Sequence, residues 1–276
     1  MHMSDENKNN TENILLRITE RRREAVEHRK RTIPLVPLKI AVEKRAPAAR
    51  NFAAAISANR TNIIAELKRA SPSRGLIRAD FEPAKLAVEL AEAGAAALSV
   101  LTEEEFFGGS VLHLKEASAA TRVPVLRKDF IFDPWQVWES RAAGADSFLL
   151  IVGTLEQPLL LELLALGRQL QMEPLVEVHT REELVRALEA DAHIIGVNAR
   201  DLTTFNVDVD LALELVDEMP DTCIAVAESG IRSREILERL SVAGFDAFLI
   251  GEQLMKQAQP GEELRRLLGV TQAQNA

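Results

Sequence analysis

The chain has 276 residues, 47% hydrophobic and 27% charged, the balance of a globular protein, which excludes a disordered one. A formal net charge of −9 excludes the basic footprint of a nucleic-acid binder, so any anionic ligand must be met by local positive charge. Cys223 is the single cysteine, which excludes an internal disulfide and fits a reducing compartment such as the cytoplasm.

Met1 to Asn10 is polar and lacks the apolar stretch of a signal peptide. Leu15, Ile18, Arg22, Ala25 and Val26 then recur at helical spacing, predicting an amphipathic helix, and a second helix is expected around Leu38–Lys44. The run Arg21-Arg22-Arg23 reads as a solvated face. Residues 1–50 are thus expected to form a helical extension, 51–270 one catalytic domain and 271–276 a polar tail.

A repeat organises the rest. Ala93-Gly94, Ala143-Gly144 and Ala243-Gly244 each lead into a mainly apolar run, at 95–101, 145–151 and 245–251, and a degenerate copy spans 189–197. Each glycine reads as a helix C-cap and each run as a strand buried on both faces. The period of about 50 residues suits two βα units. Asn62–Leu67, Val123–Arg127, Glu173–Val178 and Thr222–Glu228 supply the intervening strands. Helix starts are expected at Asp133-Pro134, at a capping box in Thr180-Arg181-Glu182-Glu183, and at Ser233. Phe148 to Gly167 is nearly long enough to span a membrane, but Gly153, Glu156, Gln157, Pro158 and Glu162 break it into strand, loop and buried helix. Eight strands alternating with helices predict an α/β fold, a closed (β/α)8 barrel. A doubly wound sheet is the runner-up, without a G-x-G-x-x-G turn to support it.

Alternation along such strands sorts the side chains, and active sites lie at the carboxyl ends. Glu66 and Lys68 share the inward parity of Ile64, Lys128 and Phe130 that of Leu126, and Glu177 that of Leu175. Asn198 and Arg200 follow Gly196, and Glu228 follows Val226. Five strands ending in inward polar groups point to a site, because a buried charge is costly unless paired or used. Ser229-Gly230 and Gly251-Glu252, after strands seven and eight, stand where barrels bind phosphate with backbone N–H groups. His2, His28, His113, His179 and His193 show no ligand spacing, so no metal is expected, and no cofactor either. His179 shares the parity of Glu177 but is read as a structural residue.

Over about residues 12 to 268 the chain resembles the indole-3-glycerol-phosphate synthase family. The resemblance rests on Ile64-Ala65-Glu66-Leu67-Lys68-Arg69-Ala70-Ser71-Pro72-Ser73-Arg74-Gly75, Val125-Leu126-Arg127-Lys128-Asp129-Phe130, Leu175-Val176-Glu177-Val178-His179, Gly196-Val197-Asn198-Ala199-Arg200-Asp201-Leu202 and Glu228-Ser229-Gly230-Ile231. It implies a barrel enzyme that closes the pyrrole ring of 1-(2-carboxyphenylamino)-1-deoxyribulose 5-phosphate, releasing CO2 and water. By similarity Ser71 and Leu249 join the residues already named, and the N-terminal helices cover the barrel mouth and lend basic residues to the phosphate. Lys128 is implied as general acid, Lys68 as holder of the substrate carboxylate paired with Glu66, Glu177 as base and Asn198 as positioner; sequence does not divide the acid work between the two lysines. Ala199 stands where the family often has asparagine, and Trp135 and Trp138 where it usually has tyrosine.

Two rivals stay open. One is a class I aldolase with a Schiff base on Lys128 or Lys68; the other is a non-catalytic phosphate-binding barrel, which would have no use for four inward charges. The expected partner is a small anionic substrate on a single-chain enzyme, with no nucleic acid or membrane; contact with other enzymes of the pathway stays open.

Overall fold

The apolar runs form strands because both of their faces are covered. In the computed structural model, which describes residues 5–45, 48–200 and 209–270, these are β1 (Asn62–Leu67), β2 (Ala97–Leu101), β3 (Val125–Lys128), β4 (Ser147–Ile151), β5 (Leu175–Val178), β6 (Ile194–Asn198), β7 (Ile224–Glu228) and β8 (Ala247–Ile250). Each pairs in parallel with the next, and β8 pairs with β1 to close the barrel. Three helices precede β1: α1 (Asp5–Thr32), α2 (Leu35–Arg45) and α3 (Phe52–Ile56). The others are α4 (Pro83–Glu92), α5 (Val111–Ala120), α6 (Pro134–Ala142), α7 (Gln157–Gln169), α8 (Arg181–Glu189), α9 (Val209–Asp217), α10 (Arg234–Val242), α11 (Glu252–Met255) and α12 (Pro260–Leu268). Residues 148–167 divide between β4, a short turn and α7, and no described helix is long and apolar enough to cross a membrane.

Most strands start two residues later than the apolar runs do, and the repeat shows why. Gly94, Gly144 and Gly244 sit at φ +104°, +91° and +110°, the left-handed position that ends a helix. The next N–H, of Ala95, Ala145 or Phe245, still bonds back to the helix, at the carbonyl of Leu90, Ser140 or Leu240. In the degenerate copy Asp191 takes the left-handed position instead, at φ 57°. Two aspartates then set the register: Asp146 and Asp246 accept from the N–H of Val125 and Ala225 on the preceding strand, each at 2.8 Å.

Strand alternation divides the core. Ile64, Ala97, Leu126, Leu175, Ile194 and Val226 point into the barrel, whose N-terminal end is plugged by Phe52 and Ile56 of α3. Ile63, Leu98, Val125, Phe148, Val176 and Ile195 face the surrounding helices. A third cluster joins Val26 of α1 and Leu38 of α2 to Trp135 and Trp138 of α6. There the Trp135 indole donates to the Ile33 carbonyl at 2.9 Å.

Two expectations need correction. Arg22 is not on a solvated face: its side chain is 1% exposed and lies 2.5 Å from Asp129, while Arg21 beside it is 57% exposed. The capping box at Thr180 is half made. Thr180 accepts from the Glu183 N–H, but the Glu183 carboxylate takes the His179 N–H at 2.7 Å rather than that of Thr180. Asp133 does form a full box with Gln136, and Ser233 caps α10. The tail 271–276, and Asp201 and Leu202 of the matched motif, lie outside the described residues.

Candidate active site

Parity predicts that the polar ends of β1, β3, β5, β6 and β7 converge, and they line one cavity. Glu66, Lys68, Ser71, Lys128, Phe130, Glu177, Asn198, Arg200, Glu228, Ser229, Gly230, Leu249, Gly251 and Glu252 all border it. At its centre the Lys128 Nζ lies 2.6 Å from Glu177 Oε2 and 2.6 Å from Glu228 Oε2. Lys68 makes a separate pair with Glu66 at 2.6 Å. Asn198 donates to Glu177 Oε1 at 3.2 Å, and its own Oδ1 accepts from the Arg200 N–H and from the Ser229 hydroxyl.

Burial and charge pull against one another here. Burial pushes the Lys128 ammonium toward its neutral form, but Glu177, Glu228 and Glu66 together outweigh it and hold the pKa above the ordinary lysine value. Burial would raise Glu177, yet Lys128 and His179 bring it down to about 2. Glu228 is raised by burial and, although Lys128 opposes, by its neighbour Glu177, and reaches about 8. One carboxylate is therefore ionised and the other protonated near neutral pH.

These acids fit because two glycines leave room for them. A Cβ on Gly251 would sit 2.0 Å from Glu66 Oε2, and one on Gly196 would sit 2.2 Å from Glu228 Oε1. Gly251 therefore makes room for Glu66: a larger residue there would displace that carboxylate.

Part of the cavity lining is apolar: Ile14 and Ile18 of α1, Phe107, Phe130 and Leu249. Ser229 and Gly230, both with positive φ, line it too, as do the cationic Arg200, Arg232 and Lys256. The extension's buried and half-buried basic residues, Arg22, Arg29 and Lys30, do not border the cavity. Arg22 pairs with Asp129, Arg29 with Glu139 and Lys30 with Asp133, so among the described residues α1 gives the cavity an apolar wall. Glu252 turns its carboxylate toward Arg74, at 3.2 Å, and Arg200, at 4.0 Å, which leaves its backbone N–H as the group suited to an anion. Sequence reasoning missed Ile14, Phe107, Arg232 and Lys256, which carry no motif. It also set aside His179, whose shared parity with Glu177 was the available signal.

Residues 15–267 match the family model described as indole-3-glycerol phosphate synthase. Proteins of that name from Acidithiobacillus ferrooxidans and Burkholderia lata are 47% and 45% identical over 258 residues, covering 92% of this chain and 98% of each relative. The 3-hexulose-6-phosphate synthase from Salmonella typhimurium is similar in fold alone, with TM-score 0.59 and 14% identity over 76% of this chain and 98% of that one.

Proposed function

The chain belongs to the indole-3-glycerol phosphate synthase family, and from that premise we propose which side chains carry the reaction. It is a carboxy-lyase of tryptophan biosynthesis that closes the pyrrole ring of 1-(2-carboxyphenylamino)-1-deoxyribulose 5-phosphate, with loss of CO2 and water. The observation that carries the assignment is the Lys128 ammonium wedged between Glu177 and Glu228.

The substrate's aromatic ring lies against Phe107, Phe130 and the α1 wall, and its phosphate at the Ser229–Gly230 and Gly251–Glu252 N–H groups. Lys68, held by Glu66, meets the carboxylate. As the ring carbon attacks the ribulose carbonyl, Lys128 gives its proton to the carbonyl oxygen, so negative charge never accumulates there. CO2 then leaves and restores the ring. The new hydroxyl departs as water with a proton from Lys68, and Glu177 takes the proton released from the cationic ring. Asn198, fixed by Ser229, orients the reacting oxygens.

A Schiff-base lysine must be a neutral amine to attack a carbonyl, and the carboxylates hold Lys128 in the opposite state. Incubation with the substrate while following indole fluorescence tests the reaction. Borohydride in the same mixture should trap no adduct, and a trapped adduct would restore the aldolase reading. We further propose an enzyme that needs no metal or cofactor, works as a single chain in the cytoplasm, and divides into an extension of residues 1–50 and a barrel of residues 51–270. Dialysis against EDTA should leave the rate unchanged, and sedimentation at assay concentration should give one chain.

A further inference from the structure

Glu177 is 3% exposed, and the cation at its Oε2 is Lys128. The proposed reaction asks Lys128 to give its proton away, and at that moment it becomes a neutral amine. Glu177 would then stand desolvated beside Glu228 without a positive charge, where a carboxylate becomes protonated and stops serving as a base. The other oxygen faces a different group. His179 Nε2 lies 3.3 Å from Glu177 Oε1, within ion-pair range though not aligned as a hydrogen bond.

His179 is itself held from outside the site. On α8 the Glu183 Oε2 accepts the His179 backbone N–H at 2.7 Å and lies 3.5 Å from its Nδ1. Gly153, in the turn after β4, makes space for that carboxylate, since a Cβ there would sit 2.5 Å from Glu183 Oε1. The half-made capping box therefore has a use: Glu183 is turned away from Thr180 and onto the histidine.

We propose that His179, held by Glu183, is a positioning residue whose imidazolium keeps Glu177 ionised while Lys128 is without its proton. Glu177 on β5 and Glu183 on α8 are the carboxylates that act on the imidazole, with the titratable Glu228 on β7 and Lys128 on β3 beyond Glu177. Burial pushes the imidazole toward its neutral form, but Glu183 and Glu177 outweigh it and raise its pKa above the ordinary histidine value. The inference rests on Glu177 acting as the base.

The test is the pH profile of kcat, from pH 3 to 9, for the whole enzyme on its substrate. In His179→Leu the acid limb should move up by about 1–3 pH units, the scale of losing an opposite charge beside a carboxylate. Activity should recover at higher pH, and KM should hold. His179→Gln, which keeps a donor but no charge, should follow His179→Leu. Gly153→Ala, which displaces Glu183 and touches neither His179 nor Glu177, should shift the limb the same way by less. A pH-independent loss or no loss in His179→Leu, or a wild-type profile in His179→Gln, would overturn the proposal. An unshifted Gly153→Ala profile would remove Glu183 from it. Glu177→Gln separates the two ideas: if it keeps its rate, the assignment of the base falls, whatever the histidine variants do.

Discussion

Arg127, Lys128 and Asp129 are consecutive, yet they belong to two charged clusters on opposite faces of the barrel wall. Outside, Arg127 meets Asp129 at 2.8 Å, Glu139 at 3.0 Å and the Thr102 hydroxyl at 2.9 Å, and Arg22 of α1 completes the set. Counting the part-exposed Arg29 on Glu139, three guanidinium groups face two carboxylates, so neither acid lacks a cation, and Asp129, which burial would raise, is held below its usual range by Arg22 and Arg127. Inside, Lys68 and Lys128 face Glu66, Glu177 and Glu228, one acid too many, and the surplus appears as a protonated Glu228. A buried cluster in which every acid has its own cation holds structure together; one with more acids than cations keeps a proton available for chemistry.

That contrast can be broken at several points. Lys128→Met keeps the stem and removes the donor, so single-turnover indole formation should slow by at least about 100- to 10,000-fold, the usual contribution of a positioned general acid. Substrate binding should change far less, and retention of more than a tenth of the rate would pass the acid role to Lys68. Gly251→Ala pushes into Glu66, and a shift of about 1 Å in a catalytic group costs roughly 100-fold. Its kcat and KM should therefore both suffer; a change in KM alone would show that Gly251 serves only the phosphate.

On the outer face the sensitivities should reverse. Asp129→Ala strands the buried Arg22 guanidinium and takes one of two carboxylates from Arg127, at a cost of about 3–5 kcal/mol. Melting should fall on the order of 10 °C, while kcat stays within its order of magnitude. A rate loss as large as that of Lys128→Met would make the two clusters one unit.

The smallest effect is the pH dependence set by Glu228. Its pKa rises from 4.5 to about 8 on folding, so between those values the folded chain binds more protons than the unfolded one. Stability contributed at this position is therefore lost as pH climbs through that window. Glu228→Gln mimics the protonated acid, so its melting temperature should draw ahead of wild type by a few degrees between pH 5 and 8, by the window above, and stay level beyond it. Parallel melting curves would place the surplus proton elsewhere.

Alternation made the inner cluster legible, because parity alone turns Glu66, Lys128, Glu177 and Glu228 to one side once a barrel is assumed. The outer cluster was not legible. Arg22 meets Asp129 across 107 residues, and nothing in Arg21-Arg22-Arg23 distinguishes the middle arginine until α1 docks. Glu183 misled for a related reason: its spacing from Thr180 satisfies a local rule, while His179 makes the competing offer from the strand end. The strand starts were blurred because the residue after each glycine is apolar like a strand but still bonded to its helix.

The paired aspartates of the repeat bear on how the chain assembles. Each joins backbone 21 residues away, a short loop, so the units containing β3–β4 and β7–β8 can set their own register locally. The barrel's seam is different: Asn62 on β1 reaches the Asp246 carbonyl across 184 residues. Loop-closure entropy grows as the logarithm of length, so that seam costs about 2 kcal/mol more to close than either clamp. The β1–β8 joint should therefore be the last to form and the first to open, and amide exchange there should run ahead of exchange in the clamped strands.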